Sequence, residues 1–443
     1  MKKSTVAVVG RPNVGKSTLF NALCGENLSI VQDTPGVTRD RIYADCDWNG
    51  RNFTLIDTGG IEPESDDVII RQMREQAQIA VEIADVIIFM VDVKTGLTDA
   101  DHTVADMLRR SKKPVLLCVN KVDSFKKQGN DIYEFYNLGM GDPYPVSAAG
   151  KQGIGDMLDA LIGMFPEQEG EEEEDDRPRI AVIGRPNVGK SSIINRLIGE
   201  NRLIVSDVAG TTRDAVDAVV KHNGEEYVFI DTAGLRRKSR IKEDIERYSI
   251  IRTVAAVDRC NIAVIVIDAT QGITEQDTHI AGIAHERGKG AIILVNKWDA
   301  VEEKNDKSVY KFTEEIRRKF AFMPYADIMF VSALTGQRLI KLYDEIDLVR
   351  QYQNMRIQTG VLNDIMAEAT AMHEPPQDKG KRLRLFYTSQ VSVNPPTFVI
   401  FVNYKELFHF SYLRYIENRF REAFRFVGTP VHFIIRERKD KDK

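Results

Sequence analysis

The octapeptide GRPNVGKS occurs twice in the 443 residues, at Gly10–Ser17 and at Gly184–Ser191, an offset of 174. The same offset relates Thr38 in GVTRD to Thr212 in GTTRD, Asn49-Gly50 to Asn223-Gly224, and Asp57 in DTGG to Asp231 in DTAG. It grows to 176 between Asn120 and Asn296 and to 185 between Ser147 and Ser332. Two copies of one domain, with insertions in later loops of the second, account for this pattern. The period is far too long for a solenoid, whose repeats run to about 45 residues.

The copies are separated by EQEGEEEEDDRP, residues 167–178, with eight acidic residues in twelve. Such a run repels itself and cannot bury apolar surface, so it reads as an extended linker. The expected division is a first domain over 1–166, a linker over 167–178, a second domain over 179–349 and a third over 350–443.

Within each copy the apolar runs are short and continuous, as in VAVVG, VIIFMVD and VLLCVN of the first and IAVIG, AVIVID and AIILVN of the second. Parallel strands covered on both faces look like this. Asn49-Gly50 and Asn223-Gly224 are hairpin turns. The expectation is α/β: a mostly parallel sheet with one antiparallel pair in each copy. Residues 350–443 differ. A helix near 361–373, two strand-like runs (RLRLFYTSQV and TFVIFVN) around a Pro-Pro turn, a helix from Tyr412 to about Arg425 and a last strand, VHFIIR, make an α+β domain.

Composition narrows the classes. With 43% hydrophobic and 29% charged residues the chain has the makeup of an ordinary globular protein. No apolar run approaches the ~18–20 residues of a spanning helix. The start, MKKSTVAVVG, reads as a strand and not as a secretory signal. Cys24, Cys46, Cys118 and Cys260 show no metal-site or disulfide spacing, so the cytoplasm is the expected location. Residues 350–443 hold 16 Lys+Arg against 10 Asp+Glu, leaving 45 against 56 elsewhere. A basic tail on an acidic body suits a polyanionic partner, although helices also expose basic residues for solubility alone.

GxxxxGK[ST] is a phosphate-binding loop. Glycine lets backbone N–H groups turn inward around a polyphosphate, and the following helix adds its positive end. Gly10, Arg11, Pro12, Asn13, Val14, Gly15, Lys16 and Ser17 form the first loop. Gly184, Arg185, Pro186, Asn187, Val188, Gly189, Lys190 and Ser191 form the second. Lys16 and Lys190 are expected on the β- and γ-phosphates, and Ser17 and Ser191 on Mg²⁺. NKVD (Asn120, Lys121, Val122, Asp123) and NKWD (Asn296, Lys297, Trp298, Asp299) select the base. Guanine offers an N1–H and an exocyclic amino group side by side, which one carboxylate accepts together, and adenine lacks that pair. Asp123 and Asp299 are therefore the expected base readers, with Asn120 and Asn296 bracing the loops and the Lys121 and Lys297 stems over the ring. Ser147 and Ala148, and Ser332 and Ala333, end later strands where backbone N–H groups would approach guanine O6.

Asp57, Thr58, Gly59 and Gly60 in the first copy, and Asp231, Thr232, Ala233 and Gly234 in the second, make a DxxG switch. The aspartates are expected to hold Mg²⁺ through water, and the last glycine to offer its N–H to the γ-phosphate. Thr38 and Thr212 would join the Mg²⁺ shell only when the third phosphate is present, so hydrolysis would release two loops. Ile61 and Leu235 follow DxxG, where many GTPases place a glutamine that orients water. An aliphatic side chain cannot do this, so hydrolysis must be slow or helped otherwise. The Asn13 and Asn187 side chains are candidates to hold a monovalent cation, K⁺, against the phosphates. Asparagine also simply suits such a turn. LRRKSR (235–240) is either a polyanion contact or a solvated loop.

Taken together these residues resemble the Der (also called EngA) tandem GTPases of bacteria over essentially the whole chain. GRPNVGKS twice, VTRD and TTRD, DTGG and DTAG, NKVD and NKWD, the acidic linker and the basic tail carry the resemblance. It implies two tandem P-loop (Ras-like) GTPase domains and a C-terminal KH-like domain. It also implies binding of GTP/GDP with Mg²⁺, action on the large (50S) ribosomal subunit and its rRNA during maturation, and potassium stimulation. Neither DNA nor a membrane is an expected partner, and a monomer is expected. The GxxG loop of ordinary KH domains is absent from 350–443, so RNA contact would fall to Lys379, Lys381, Arg382, Arg384, Arg414, Arg419, Arg421 and Arg425. Phe398, Phe401, Phe408, Phe420 and Phe424 are expected in the core and not as base-stacking platforms. A non-catalytic scaffold is a competing class, but both copies keep Lys, Ser, Thr and Asp at every switch position. A tRNA-modifying enzyme would need an extra catalytic domain and a membrane remodeller an amphipathic or spanning segment, and neither is found.

Overall fold

The computed structural model describes residues 3–27, 43–58, 66–124, 131–166, 176–200, 217–230, 245–302, 306–378 and 380–438. These form two compact units, one holding a first six-stranded sheet and the other a second six-stranded sheet with a smaller three-stranded one.

In the first sheet β1 (Ser4–Gly10) lies between β3 (Arg51–Asp57) and β4 (Val86–Asp92), and the order is β2-β3-β1-β4-β5-β6. β5 is Val115–Asn120 and β6 is Pro143–Pro145. All pairings are parallel except that of β3 with β2 (Tyr43–Trp48). That pair turns on Asn49 (φ 48°) and Gly50 (φ 76°), the left-handed pair a two-residue hairpin requires. β4 is buried at every position, as its unbroken apolar run demands of a central strand covered on both faces.

The second sheet repeats this arrangement. β7 (Arg179–Ile183) sits between β9 (Glu225–Ile230) and β10 (Ile262–Asp268), followed by β11 (Gly290–Asn296) and β12 (Asp327–Phe330). β8 (Ala218–His222) is the antiparallel edge strand. In each sheet the connections leave the central strand in opposite directions, so a crevice opens beyond the carboxyl ends of β1 and β4, and of β7 and β10. Ligands of open α/β sheets bind at such switch points.

The third sheet has the expected α-β-β-α-β order. Helix Thr359–Met372 precedes the antiparallel strands Leu385–Ser392 and Thr397–Val402, and helix Phe410–Phe424 leads to His432–Glu437, which pairs in parallel with the middle strand. Phe398 and Phe420 are fully buried, and Phe408 and Phe424 pack on the same core. Phe401 departs from the expectation. Successive strand residues face opposite ways, so Phe401 lies across the strand from Phe398, Ile400 and Val402; it is half-buried, stays outside their core and stacks on Tyr387 at 4.4 Å between ring centroids.

The helix Lys341–Gln353 runs continuously past residue 349, and the third sheet docks on the second within one unit. The Ala291 N–H donates to the Gly428 carbonyl at 2.7 Å and the Gly428 N–H to the Tyr325 carbonyl at 2.9 Å. A Cβ on Gly428 (φ 64°) would lie 2.2 Å from a Val349 methyl, so this contact needs glycine. Beside it the Tyr325 hydroxyl meets His285 Nδ1 at 2.9 Å, and the Arg421 guanidinium lies over the Tyr325 ring. Burial, with His432 and Arg421 nearby, pushes the His285 pKa down to about 4, so the ring is neutral at pH 7.

This docking corrects part of the basic surface expected for RNA. Arg421 pairs with Glu417 at 2.9 Å and donates to the Thr429 carbonyl at 3.2 Å, so it is a structural residue. Arg419 pairs with Glu368 and Glu422. Arg382 and Lys381 stay exposed, and Lys379 lies outside the described residues.

Candidate functional site

Four chain segments meet at the crevice of the first sheet. β1 ends at Gly10, and the loop from Arg11 to Gly15 feeds α1 (Lys16–Asn27), whose first helical bond runs from the Leu19 N–H to the Gly15 carbonyl at 2.9 Å. A Cβ on Gly10 would stand 2.3 Å from the Met90 carbonyl oxygen, so β4 passes too close for any side chain there. The Lys16 ammonium curls back over the loop and donates to the carbonyls of Gly10 (2.8 Å) and Arg11 (2.7 Å). Lys190 does the same with Gly184 and Arg185, both at 2.6 Å. Burial lowers the Lys190 pKa to about 8. These lysines are held by main-chain oxygens at the lip of a helix N-terminus, a place that attracts anions.

Asparagines lock the base loop to the phosphate loop. The Asn120 side-chain amide donates to the Val14 carbonyl at 2.7 Å, and its oxygen accepts from the Ala148 N–H at 2.9 Å. Asn296 repeats both bonds, to Val188 (2.8 Å) and from Ala333 (3.0 Å). The Ala148 and Ala333 N–H groups expected at guanine O6 are thus committed to the asparagines. Lys121 (φ 64°) stretches its ammonium between the Asn13 carbonyl at 2.7 Å and Asp92 at 2.6 Å. Lys297 reaches Asp268 at 2.6 Å. The Ser147 hydroxyl donates to Asp123 Oδ1 at 3.0 Å and positions that acid.

Several expected site residues have side chains committed to the core, which leaves only their backbone to face a ligand. The Val14 and Val188 side chains enter the two cores, as does Val122. Trp298 is buried and packs edge-on against Phe330, with ring centroids 4.5 Å apart. Asn13 (φ 63°) and Asn187 (φ 66°) are left-handed and exposed, which fits the turn reading and leaves both side chains free to face a ligand. Thr58 is buried, and its hydroxyl donates to the Val8 carbonyl at 2.5 Å. At the end of β3 the buried Asp57 accepts a bond from the Ser17 hydroxyl at 2.9 Å. A hydroxyl and a carboxylate converging beside a phosphate loop form the hard-oxygen donor set that Mg²⁺ prefers, so the residues fit that ion. Thr38, Gly59, Gly60, Ile61, Thr212, Asp231, Thr232, Ala233, Gly234, Leu235 and the LRRKSR segment lie outside the described residues.

A row of buried acids behind the loops escaped the sequence reading, and it draws off two arginines that reading had placed among the phosphate-loop residues. Arg11 and Arg185 turn away from the phosphate side and pair with the buried Asp101 and Asp277, both at 2.8 Å. Each aspartate also closes a capping box with Thr98 or Thr274 at the start of helix Asp99–Ser111 or helix Glu275–Glu286. Asp92 and Asp268 hold the base-loop lysines. Burial works against both charges, but hydrogen bonds from Lys121 and Lys297 and from their own loops keep both carboxyls below the usual range. Arg11 repeats at an offset of 174, and Asp92, Thr98, Asp101 and Lys121 repeat at 176, which was the available signal.

A phosphate loop at a switch point, a lysine at a helix mouth and an acid-tipped loop locked to it by asparagine define a P-loop nucleotide hydrolase, here built twice in one chain. Residues 5–121 and 179–297 match the family described as "50S ribosome-binding GTPase", and residues 356–436 the "KH-domain-like of EngA bacterial GTPase enzymes, C-terminal". Proteins called GTPase Der from Lachnospira eligens and Lachnoclostridium phytofermentans are 67% and 68% identical over 442 residues, covering 100% of each chain. A solved G-domain of FeoB from Methanococcus jannaschii is 28% identical over 37% of this chain and 98% of that one, with a TM-score of 0.28. The chain belongs to the GTPase Der family. It is a GTP-binding switch that hydrolyses GTP, with a KH-like domain at its C-terminal end. No helix among the described residues is long and apolar enough to cross a membrane.

Proposed function

We propose that the protein is a cytoplasmic, monomeric switch whose GTP cycle acts in assembly of the large (50S) ribosomal subunit through contact with rRNA. The match of both nucleotide regions to a family described as binding the 50S ribosome carries this reading. The basic balance of residues 350–443 supports it, since a polyanion is the partner such a surface attracts. The working parts are a first GTPase domain over 1–166, an acidic linker over 167–178, a second GTPase domain from 179 and a KH-like domain that begins as helix Lys341–Gln353 ends.

In each pocket water attacks the γ-phosphate in line. Lys16 and Lys190 and the backbone N–H groups of the phosphate loops and of Gly60 and Gly234 meet the charge that develops. Ser17, Thr38 and Asp57, and Ser191, Thr212 and Asp231, are the groups that would hold Mg²⁺, which neutralises phosphate charge. Asn13 and Asn187 would hold K⁺, in place of the side chain that Ile61 and Leu235 lack. Asp123 and Asp299 read guanine.

Sedimentation of ribosomal particles with the purified chain tests the partner. Co-migration with the large subunit in a non-hydrolysable GTP analogue, and its loss in GDP or above about 0.3 M salt, is the expected result. Migration with the small subunit, or no nucleotide dependence, refutes it. Turnover should be on the order of tenfold faster in KCl than in NaCl, about 1.4 kcal/mol of barrier. That ratio should fall to about one in the Asn13→Ala/Asn187→Ala double variant. Equal rates of the parent protein in both salts remove the cation.

A further inference from the structure

The two pockets differ in charge two residues beyond the ends of β4 and β10. These strands close on Asp92 and Asp268, which face Asn120 and Asn296 of the neighbouring strands. Two residues on, the first copy has Lys94 and the second Thr270. Both backbones fold back alike: the Lys94 N–H donates to Asp92 at 2.9 Å and the Thr270 N–H to Asp268 at 2.9 Å. The side chains then diverge. Thr270 returns its hydroxyl to Asp268 at 2.6 Å. Lys94 crosses to the base loop, and its ammonium donates to Asp123 Oδ2 at 2.7 Å.

Asp123 therefore has a donor on each oxygen, Ser147 on Oδ1 and Lys94 on Oδ2. Guanine brings two more donors and needs both oxygens. A carboxylate oxygen has lone pairs for two partners, so a neutral serine hydroxyl shares Oδ1 readily. An ammonium on Oδ2 is a stronger rival, because a charge-assisted bond is about twice as strong as a neutral one. The side chains of Lys94 and Asp123 are 54% and 57% exposed, so water replaces either partner cheaply and salt screens the pair.

We propose that Lys94 sets the affinity of the first pocket by competing with the guanine base for the Asp123 carboxylate, a competition that the neutral Thr270 does not impose in the second pocket. This rests on Asp123 being the guanine-reading acid.

Release of fluorescent N-methylanthraniloyl-GDP from the full chain tests it, with the other pocket silenced by Lys190→Ala or Lys16→Ala. Lys94→Thr should slow release from the first pocket about threefold at 50 mM salt. The ratio to the parent should approach one near 0.5 M salt as the ion pair is screened. Thr270→Lys should speed release from the second pocket at low salt only. Unchanged or faster release from Lys94→Thr at 50 mM overturns the proposal, and so does a slowing that salt leaves intact, which marks a packing effect. Should the parent's first pocket hold the ADP analogue as well as the GDP one, the guanine reading itself fails and takes the proposal with it.

Discussion

Alanine at Gly15 or Gly189 is expected to weaken guanine-nucleotide binding in its own pocket at least about a hundredfold. Both glycines have φ of +102°, a conformation that costs an L-residue ~1–3 kcal/mol. The added Cβ would also stand 2.3 Å from the Asn120 amide nitrogen, or 2.2 Å from that of Asn296. These amides are buried and tie the base loop to the Val14 and Val188 carbonyls. Moving one breaks that bond and strains the one to Ala148 or Ala333, at ~1–3 kcal/mol for a buried group left without its partner. Together the two terms reach ~3 kcal/mol or more, about a hundredfold in affinity. Calorimetric titration with GDP, one pocket at a time, measures it. Gly50→Ala is the control. Its φ is also positive (+76°), but its Cβ meets nothing within 4 Å, so stability should fall slightly and nucleotide binding should stay the same. Near-parental binding by both loop variants would show that the two loops are not coupled through asparagine.

Asp299→Asn should turn the second pocket from guanine toward xanthine. A carboxylate accepts from both guanine donors. A carboxamide accepts from one and points an N–H at the other. Sites built to pair a polar group reject the wrong partner by about 10⁴–10⁵ when it is fully desolvated, and about 10³ is expected for a loop open to solvent on one side. Xanthine carries a carbonyl where guanine has its amino group, so the new N–H finds an acceptor. Competition between GDP and XDP, in a Lys16→Ala background, checks both directions. A variant that loses both nucleotides alike would show that the loop had collapsed; one that keeps its GDP affinity would remove Asp299 from base recognition.

Much of this was legible in the sequence because the chemistry is local. A phosphate loop needs a small backbone turn after a strand and a lysine at the helix start, and eight consecutive residues state all of that. The acid of NKxD follows a buried strand in the same way. The central strands were legible because a continuous apolar run has no solvent face. Phe401 was misjudged because alternation assigns only every second residue to a core, and which phase faces inward depends on what covers the sheet. Arg421 was counted as RNA surface because a helical arginine near the chain's end gives no sign of the tyrosine it will cover.

The contacts that set the pockets' finer properties join segments distant in the chain. Arg11 meets Asp101 90 residues away, Asn120 meets Val14 106 away, and Lys94 meets Asp123 29 away. By itself the sequence determined the class of ligand, the duplicated architecture and the lysine at the start of each loop's helix, since each rests on short segments whose conformation is nearly dictated by glycine, asparagine and apolar runs. Only the tertiary structure decided which side chains the loops lean on, that Lys94 reaches the base-reading acid of the first copy while Thr270 turns back to Asp268 in the second, and that the small third sheet docks through Gly428. Such pairings depend on how parallel strands bring remote carboxyl ends side by side, and no local pattern carries that distance.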